Sequence, residues 1–336
     1  ESSMPHRHSH SIDRRGFLKG AAAGLFLLPN SDLSRLGHRP GRHASTVAVI
    51  RTTDRKDGVT RAMSLLNPTG MAGKQVVVKP NYNTADAAPA GTANDTLIQL
   101  VKELQERDAR GITLGESSGP PNTGEVMAEK GIPDLASDMG FEVVNYDEIP
   151  DSDWVHVQPG GSHWPEGFHL PRQVVDAEYN VSTCCLKTHG FGGVFTMSMK
   201  LSVGLTPKSI RRGMHRSPDM RRMIAELNQG YRTQLIVMDG VETFVDGGPT
   251  RGTLKAGNVV IAGTDRVAVD AVGVAILKEL GSNDAIMGTP IFQQEQMARA
   301  VELGLGVSGP HEIDLVSDDD EGTAYAKTLN GILAEG

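Results

Sequence analysis

The sequence predicts an α/β fold: a mostly parallel, doubly wound sheet with helices on both faces and an irregular insertion. Two observations carry this. Short β-branched runs alternate with longer helical patterns from residue 45 onward, the arrangement of βαβ units with right-handed crossovers. Four of those runs also end in charged or hydrogen-bonding residues beside a Gly or Pro, as strands do when their carboxyl ends share one ligand-binding edge.

The strand-like runs are Thr46–Ile50, Gln75–Lys79, Gly111–Leu114, Phe141–Asn145, Tyr179–Leu186, Leu235–Met238 and Asn258–Ala262. Helical patterns occupy Gly58–Leu66, Asp95–Arg107, Thr123–Lys130, Pro218–Gln229, Arg266–Leu280 and Pro290–Leu303. Thr264 or Asp265 is positioned to cap the helix that follows. The stretch 151–172, rich in Trp, His, Pro and Gly, reads as a hairpin or irregular insertion, and 201–217 as a basic, mobile loop. No internal repeat is visible, so residues 45–336 are expected to form one α/β domain.

Residues 1–44 read differently. Arg14-Arg15-Gly16-Phe17-Leu18-Lys19 precedes a weakly apolar stretch from Gly20 to Pro29, the tripartite layout of an export peptide. It resembles the twin-arginine class, which implies the twin-arginine export machinery as a partner, a folded cargo, and a periplasmic or extracellular destination. The apolar stretch is far shorter than the ~20 residues a membrane-spanning helix needs, so no stable span is expected in the mature form. Cleavage is expected near Ala44.

The leader carries a net +4 while the whole chain carries −8, leaving −12 for residues 45–336. Such acidity disfavours nonspecific binding to nucleic acid or to a membrane surface. The two cysteines, Cys184 and Cys185, are adjacent; they cannot staple a loop and supply no iron–sulfur or zinc motif. They read as small strand residues, or as a vicinal redox pair.

The strand ends supply the candidate chemistry. Val76–Val78 runs into Lys79-Pro80-Asn81, and Ile112–Leu114 into Gly115-Glu116-Ser117-Ser118-Gly119. The latter turn can cradle an anion on its N–H groups or be a plain turn; it matches neither a P-loop nor a nucleophile elbow. Val181–Leu186 runs into Lys187-Thr188-His189, where residues two apart share a side and can hold an anion, move a proton or ligate a metal. Between Tyr179 and Pro218 stand six Lys/Arg, Lys200 and Arg211 among them, and no acid. That island reads as an anion funnel, to which His215 can contribute, or as a solvated loop. Asp239 and Asp246, both beside glycines, suit a hard divalent cation or an ordinary turn. Asp270 sits one turn into an apolar helix, where a buried carboxylate needs a partner; Arg266 at i−4 is the local one.

Together these segments resemble the bacterial and archaeal domain of unknown function 362 family. The resemblance rests on Val-Lys-Pro-Asn (78–81), Gly-Glu-Ser-Ser-Gly (115–119), Leu-Lys-Thr-His (186–189), residues 196–204, Met-Asp-Gly (238–240), Gly-Gly-Pro (247–249) and residues 263–270. It implies no particular activity. Some members resemble fusions with a ferredoxin-like cluster module, whose four-cysteine pattern this chain lacks. Where the family's strand before Lys-Thr-His is apolar with Pro, this chain has Thr183-Cys184-Cys185.

The functional expectation is an enzyme acting on a small anionic ligand by a divalent metal or by acid–base chemistry. Lys187, His189, Asp239 and Asp270 are the catalytic candidates. Lys79, Asn81, Glu116, Ser117, Ser118 and Lys200 are expected to bind the substrate, and His189, Asp239 and Asp246 to hold a metal. The twin-arginine resemblance also implies a cargo loaded with a metal or cofactor inside the cell, without naming it; the cofactor is otherwise unknown, a divalent metal being possible. The competing expectation is a noncatalytic periplasmic ligand-binding or cofactor-handling protein built on the same crevice.

Overall fold

The computed structural model describes residues 44–336; the twin-arginine stretch lies outside the described residues. Among the described residues twelve strands are present: β1 (Ser45–Arg51), β2 (Gln75–Lys79), β3 (Gly111–Glu116), β4 (Glu142–Asn145), β5 (Trp154–Val157), β6 (Phe168–Pro171), β7 (Tyr179–His189), β8 (Val194–Thr196), β9 (Leu235–Gly247), β10 (Gly252–Ala256), β11 (Val259–Gly263) and β12 (Ile313–Val316). The main sheet runs β12-β1-β11-β9-β7-β2-β3-β4, with β8 and β10 added as hairpin partners of β7 and β9. β11 is antiparallel to both its neighbours, while the other adjacent pairs along this path are parallel. All seven sequence-read strands are present, and β5 and β6 form the hairpin expected in the insertion.

Helices cover both faces, as the alternation along β1 records. Val47 and Val49 enter one core with Val267, Val272 and Ile276 of the helix Arg266–Glu279. Ala48 and Ile50 enter a second core with Val59 and Met63 of Arg55–Leu66 and Leu97, Leu100 and Leu104 of Asn94–Glu106. Those three leucines recur at helical spacing, so one stripe is buried while Lys102 and Glu106 face water. Burial of each such side chain stabilises the fold by about 2 kcal/mol. Asp265 caps the helix after β11, accepting from the N–H groups of Val267 and Ala268 at 2.8 and 3.0 Å. Among the described residues no helix is long and apolar enough to cross a membrane.

The region read as a basic, mobile loop is instead ordered structure. A 3₁₀ helix spans Lys200–Leu205 and an α-helix spans Lys208–Arg216. Val203, Leu205 and Met214 pack into a third core with Phe168 and Leu170 of the β5–β6 hairpin. Gly204, Pro207 and Gly213 interrupt the periodicity along the chain, which is why the local pattern looks loop-like.

The topology places the site. β2 leads to β3 and β4 on one side, whereas β7, on the other side of β2, leads to β9. The strand order therefore reverses between the carboxyl ends of β2 and β7, where an open α/β sheet presents a crevice. Lys79 ends β2, Lys187 and His189 end β7, and Glu116 ends β3 next door.

A candidate anion site at the strand ends

Lys79 and Glu116 form a buried ion pair, Nζ to Oε1 at 2.5 Å. Lys79 also donates to the Pro80 carbonyl at 2.7 Å. Glu116 further accepts from the N–H groups of Tyr82 and Ser117, at 2.8 and 2.7 Å. With three donors on its two oxygens this carboxylate fixes the loops after β2 and β3. Burial lowers the Lys79 pKa, against the pull of Glu116. Gly204 lies over the pair: a Cβ there would come within 2.9 Å of Lys79 Nζ and 3.1 Å of Glu116 Oε1, so any larger residue would have to push the ion pair aside.

The loop residues split into tied and free groups. Ser117 Oγ donates to Asp147 and accepts from Arg211 Nη2 at 2.6 Å. Arg211 also donates to the Ser118 and Thr206 carbonyls, joining the helix Lys208–Arg216 to the turn after β3. In contrast, Asn81 Oδ1 and Ser118 Oγ are buried with no hydrogen-bond partner among the described residues. Buried polar atoms without partners are uncommon in native proteins and call for an explanation.

The β7 end carries the titratable groups. Lys187 is fully buried and donates to the Ala90 carbonyl at 2.6 Å. Burial pushes its pKa down to about 8, opposed by the nearby Cys185, Cys184 and Asp86. Lys200, 8% exposed, has no hydrogen bond or ion pair with any described residue. Burial lowers its pKa to about 7, with further repulsion from Lys187 and Arg211.

His189 is also buried. Burial first, then Lys200, His215 and Lys187, depress its pKa to about 2. The Gly193 N–H donates to its Nδ1 at 3.3 Å, so the neutral ring carries its proton on Nε2. His215 stands at the exposed mouth, with its ring centroid 6.4 Å from that of His189. Its Nδ1 lies 2.8 Å from the Arg211 carbonyl; a carbonyl only accepts, so this nitrogen holds the proton and Nε2 is the free acceptor. The two imidazoles thus have opposite polarity at Nε2, one a donor and the other an acceptor.

The turn joining β7 and β8 brings these groups together. A Cβ on Gly193 would lie 2.8 Å from His189 Nδ1 and 3.0 Å from Lys200 Cε. Val194 is held at φ +62°, a left-handed conformation that costs a β-branched residue on the order of 1–3 kcal/mol. Strain of this kind concentrates at functional sites. Phe191, at the same turn, is 71% exposed and meets the His189 ring edge-on.

Three carboxylates expected at the site lie elsewhere. Asp239 pairs with Arg55 at 2.7 Å and accepts from Thr96 Oγ1 and the Val241 N–H, locking two helices to β9. Asp246 is exposed beside the β9–β10 turn and accepts from Asn283 Nδ2 at 3.2 Å. Asp270 accepts from the Ser198 N–H and Oγ at 2.8 and 2.6 Å and from the Met199 N–H at 3.0 Å. Burial raises the Asp270 pKa to about 6, tempered by those bonds. Arg266 is not its hydrogen-bond partner; it bonds Asn228 Oδ1 and lies over the Tyr231 ring. Asp270 therefore holds the segment that delivers Lys200, a positioning role. Among the described residues no three His, Cys, Asp or Glu side chains gather as metal ligands, and His189, Asp239 and Asp246 do not converge.

Sequence reasoning missed two participants in full: Asp147, which orders Ser117, and Gly193, which seats His189 and Lys200. Arg211 and His215 lay in the acid-free island, and that island was their signal.

The fold and site define an α/β protein whose sheet edge encloses a cluster of buried cations. A family model described as Domain of unknown function (DUF362) matches residues 76–275, more than half of the chain; the chain belongs to that family. No curated protein matches it. Among solved structures it is similar to the lactate racemase apoprotein from Thermoanaerobacterium thermosaccharolyticum. The identity is 13% and the TM-score 0.46, over 87% of this chain and 88% of that one.

Proposed function

We propose that the crevice between the ends of β2 and β7 binds a small carboxylate or phosphate, and that His189 and His215 move a proton on it. The observation that carries this reading is Lys200, a buried amino group with no partner among the described residues, set among Lys187, Arg211 and two histidines. Burying an ammonium group with no carboxylate beside it, next to other cations, is costly; a bound anion supplies the missing charge. Asn81 Oδ1 and Ser118 Oγ are the unpartnered groups available to orient it. The opposite polarity of the imidazoles suits one to donate a proton and the other to accept one.

Sulfate, phosphate, oxalate and pyruvate are expected to raise the unfolding midpoint of the protein, with the gain growing with ligand concentration. Exchange of carbon-bound hydrogen of pyruvate with D2O, followed by NMR, tests proton transfer; His189→Gln is expected to slow it at least tenfold. No stabilisation by any of the four anions sinks the reading. Stabilisation without exchange supports the noncatalytic binding protein instead, a reading favoured by the low basicity of His189 in the free site.

We also propose that residues 1–44 direct export through the twin-arginine route. Replacing Arg14 and Arg15 together by Lys is expected to trap the chain in the cytoplasm; undiminished export of that variant counts against it.

A further inference from the structure

We propose that Lys200 is a covalent catalyst that captures the carbonyl group of a small oxo acid as an imine. This rests on the reading above, that the crevice takes an anion, and narrows the ligand to one bearing both a carboxylate and an aldehyde or ketone.

The geometry separates Lys200 from every other buried cation of the site. Lys79 is committed to Glu116 and the Pro80 carbonyl, Lys187 to the Ala90 carbonyl, and Arg211 to three carbonyls and Ser117. Lys200 alone has its nitrogen uncommitted. Asp270 fixes the backbone immediately before it through Ser198 and Met199, and Ser202 and Asn228 hold the Met199 carbonyl, so the side chain starts from a rigid base. An amine used only to neutralise an anion works best fully charged, as an exposed lysine is. Burial first, then Lys187 and Arg211, instead lower its pKa to about 7, so a substantial fraction is free amine at neutral pH. That is the state a nucleophilic lysine requires.

The step balances without an outside reactant. The amine lone pair attacks the carbonyl carbon, forming a C–N bond as the carbonyl π pair moves to oxygen. His215, whose Nε2 is free to accept, relays a proton from nitrogen to that oxygen, giving the carbinolamine. Nitrogen then expels the hydroxyl group, and its second proton leaves with it as water. One amine and one carbonyl become one imine and one water. Once its nitrogen takes up a proton from solvent, the imine draws electrons from the adjacent carbon and so eases removal of a proton there, the chemistry assigned to the imidazoles.

The test uses the whole protein with glyoxylate or pyruvate as the probe and sodium cyanoborohydride as the trap, near pH 7. Adduct positions are mapped by peptide mass spectrometry. A lysine with an ordinary pKa is free amine in only about one molecule in 2,500 at pH 7, so Lys200 is expected to label at least tenfold faster than the exposed lysines. Lys200→Arg is expected to lose the adduct, and excess sulfate to slow it in the wild type. Because the position is read in the wild type, the result does not depend on the variant folding. Stabilisation by pyruvate with no preferential label at Lys200 overturns the imine and leaves the anion site standing. Neither stabilisation nor label overturns both.

Discussion

Lys200→Met is expected to make the protein more stable and less able to bind anions. The two chains have similar length and flexibility, so methionine fills the same space. It removes an ammonium group that is buried, unpartnered and repelled by Lys187 and Arg211. About 1 kcal/mol recovered in this way raises the unfolding midpoint by roughly 2–4 °C for a chain of this size. The same change deletes a charge-assisted hydrogen bond to the ligand, which weakens sulfate or oxalate protection by roughly 10- to 100-fold. Scanning calorimetry with and without the anion measures both. A residue held for structure gives the opposite result, since its removal lowers the midpoint. A fall of several degrees would therefore show that Lys200 supports the fold and would remove the main support for the anion site. Gain of stability with loss of binding is the expected signature of a functional group kept at a cost to the fold.

Lys79, Glu116, Lys187 and His189 were legible in the sequence because an apolar run that ends in polar residues next to Gly or Pro marks a strand's carboxyl end. Their convergence followed once the strands were parallel. Asp239 follows the same rule, after Leu235–Met238, yet faces Arg55 and Thr96. The local pattern is silent on which side of the sheet a terminal residue takes, and here β9 continues past Asp239 to Gly247 as a hairpin arm. Asp270 was correctly read as needing a partner. The partner comes from Ser198 and Met199, on a segment about seventy residues earlier whose position depends on the whole fold. Lys200 itself was visible only as part of a basic island. Its lack of a partner is a three-dimensional fact: each neighbour is another cation or is already bonded.

The last consequence concerns pH, where the free protein and its complex are expected to respond in opposite directions. In the folded, empty protein the pKa values of Lys187 and Lys200 fall to about 8 and about 7, while an unfolded lysine titrates near 10.4. Between pH 7 and about 8.5 the unfolded chain therefore binds more protons at these positions than the folded one. Stability from this pair then rises with pH. Above that window the opposing groups enter, because burial raises the pKa of Cys184, Cys185, Tyr82 and Tyr146, and each loses its proton more readily when unfolded. An anion in the crevice reverses the lysine slope. It favours the ammonium forms, so binding takes up protons as the pH rises through the free-state values, and affinity falls up to tenfold per pH unit for each proton required. The midpoint of the empty protein is thus expected to hold or rise from pH 7 to 8.5 while the increment added by a fixed sulfate concentration shrinks. Titration calorimetry at pH 8 in Tris and in HEPES gives the proton count directly, because the apparent heat then depends on the buffer. Equal heats in both buffers, with sulfate affinity constant across the window, would mean that neither lysine gains a proton when the anion arrives. The crevice would then have to neutralise its ligand with Arg211 and the Lys79–Glu116 pair alone, an arrangement with little positive charge left to spare.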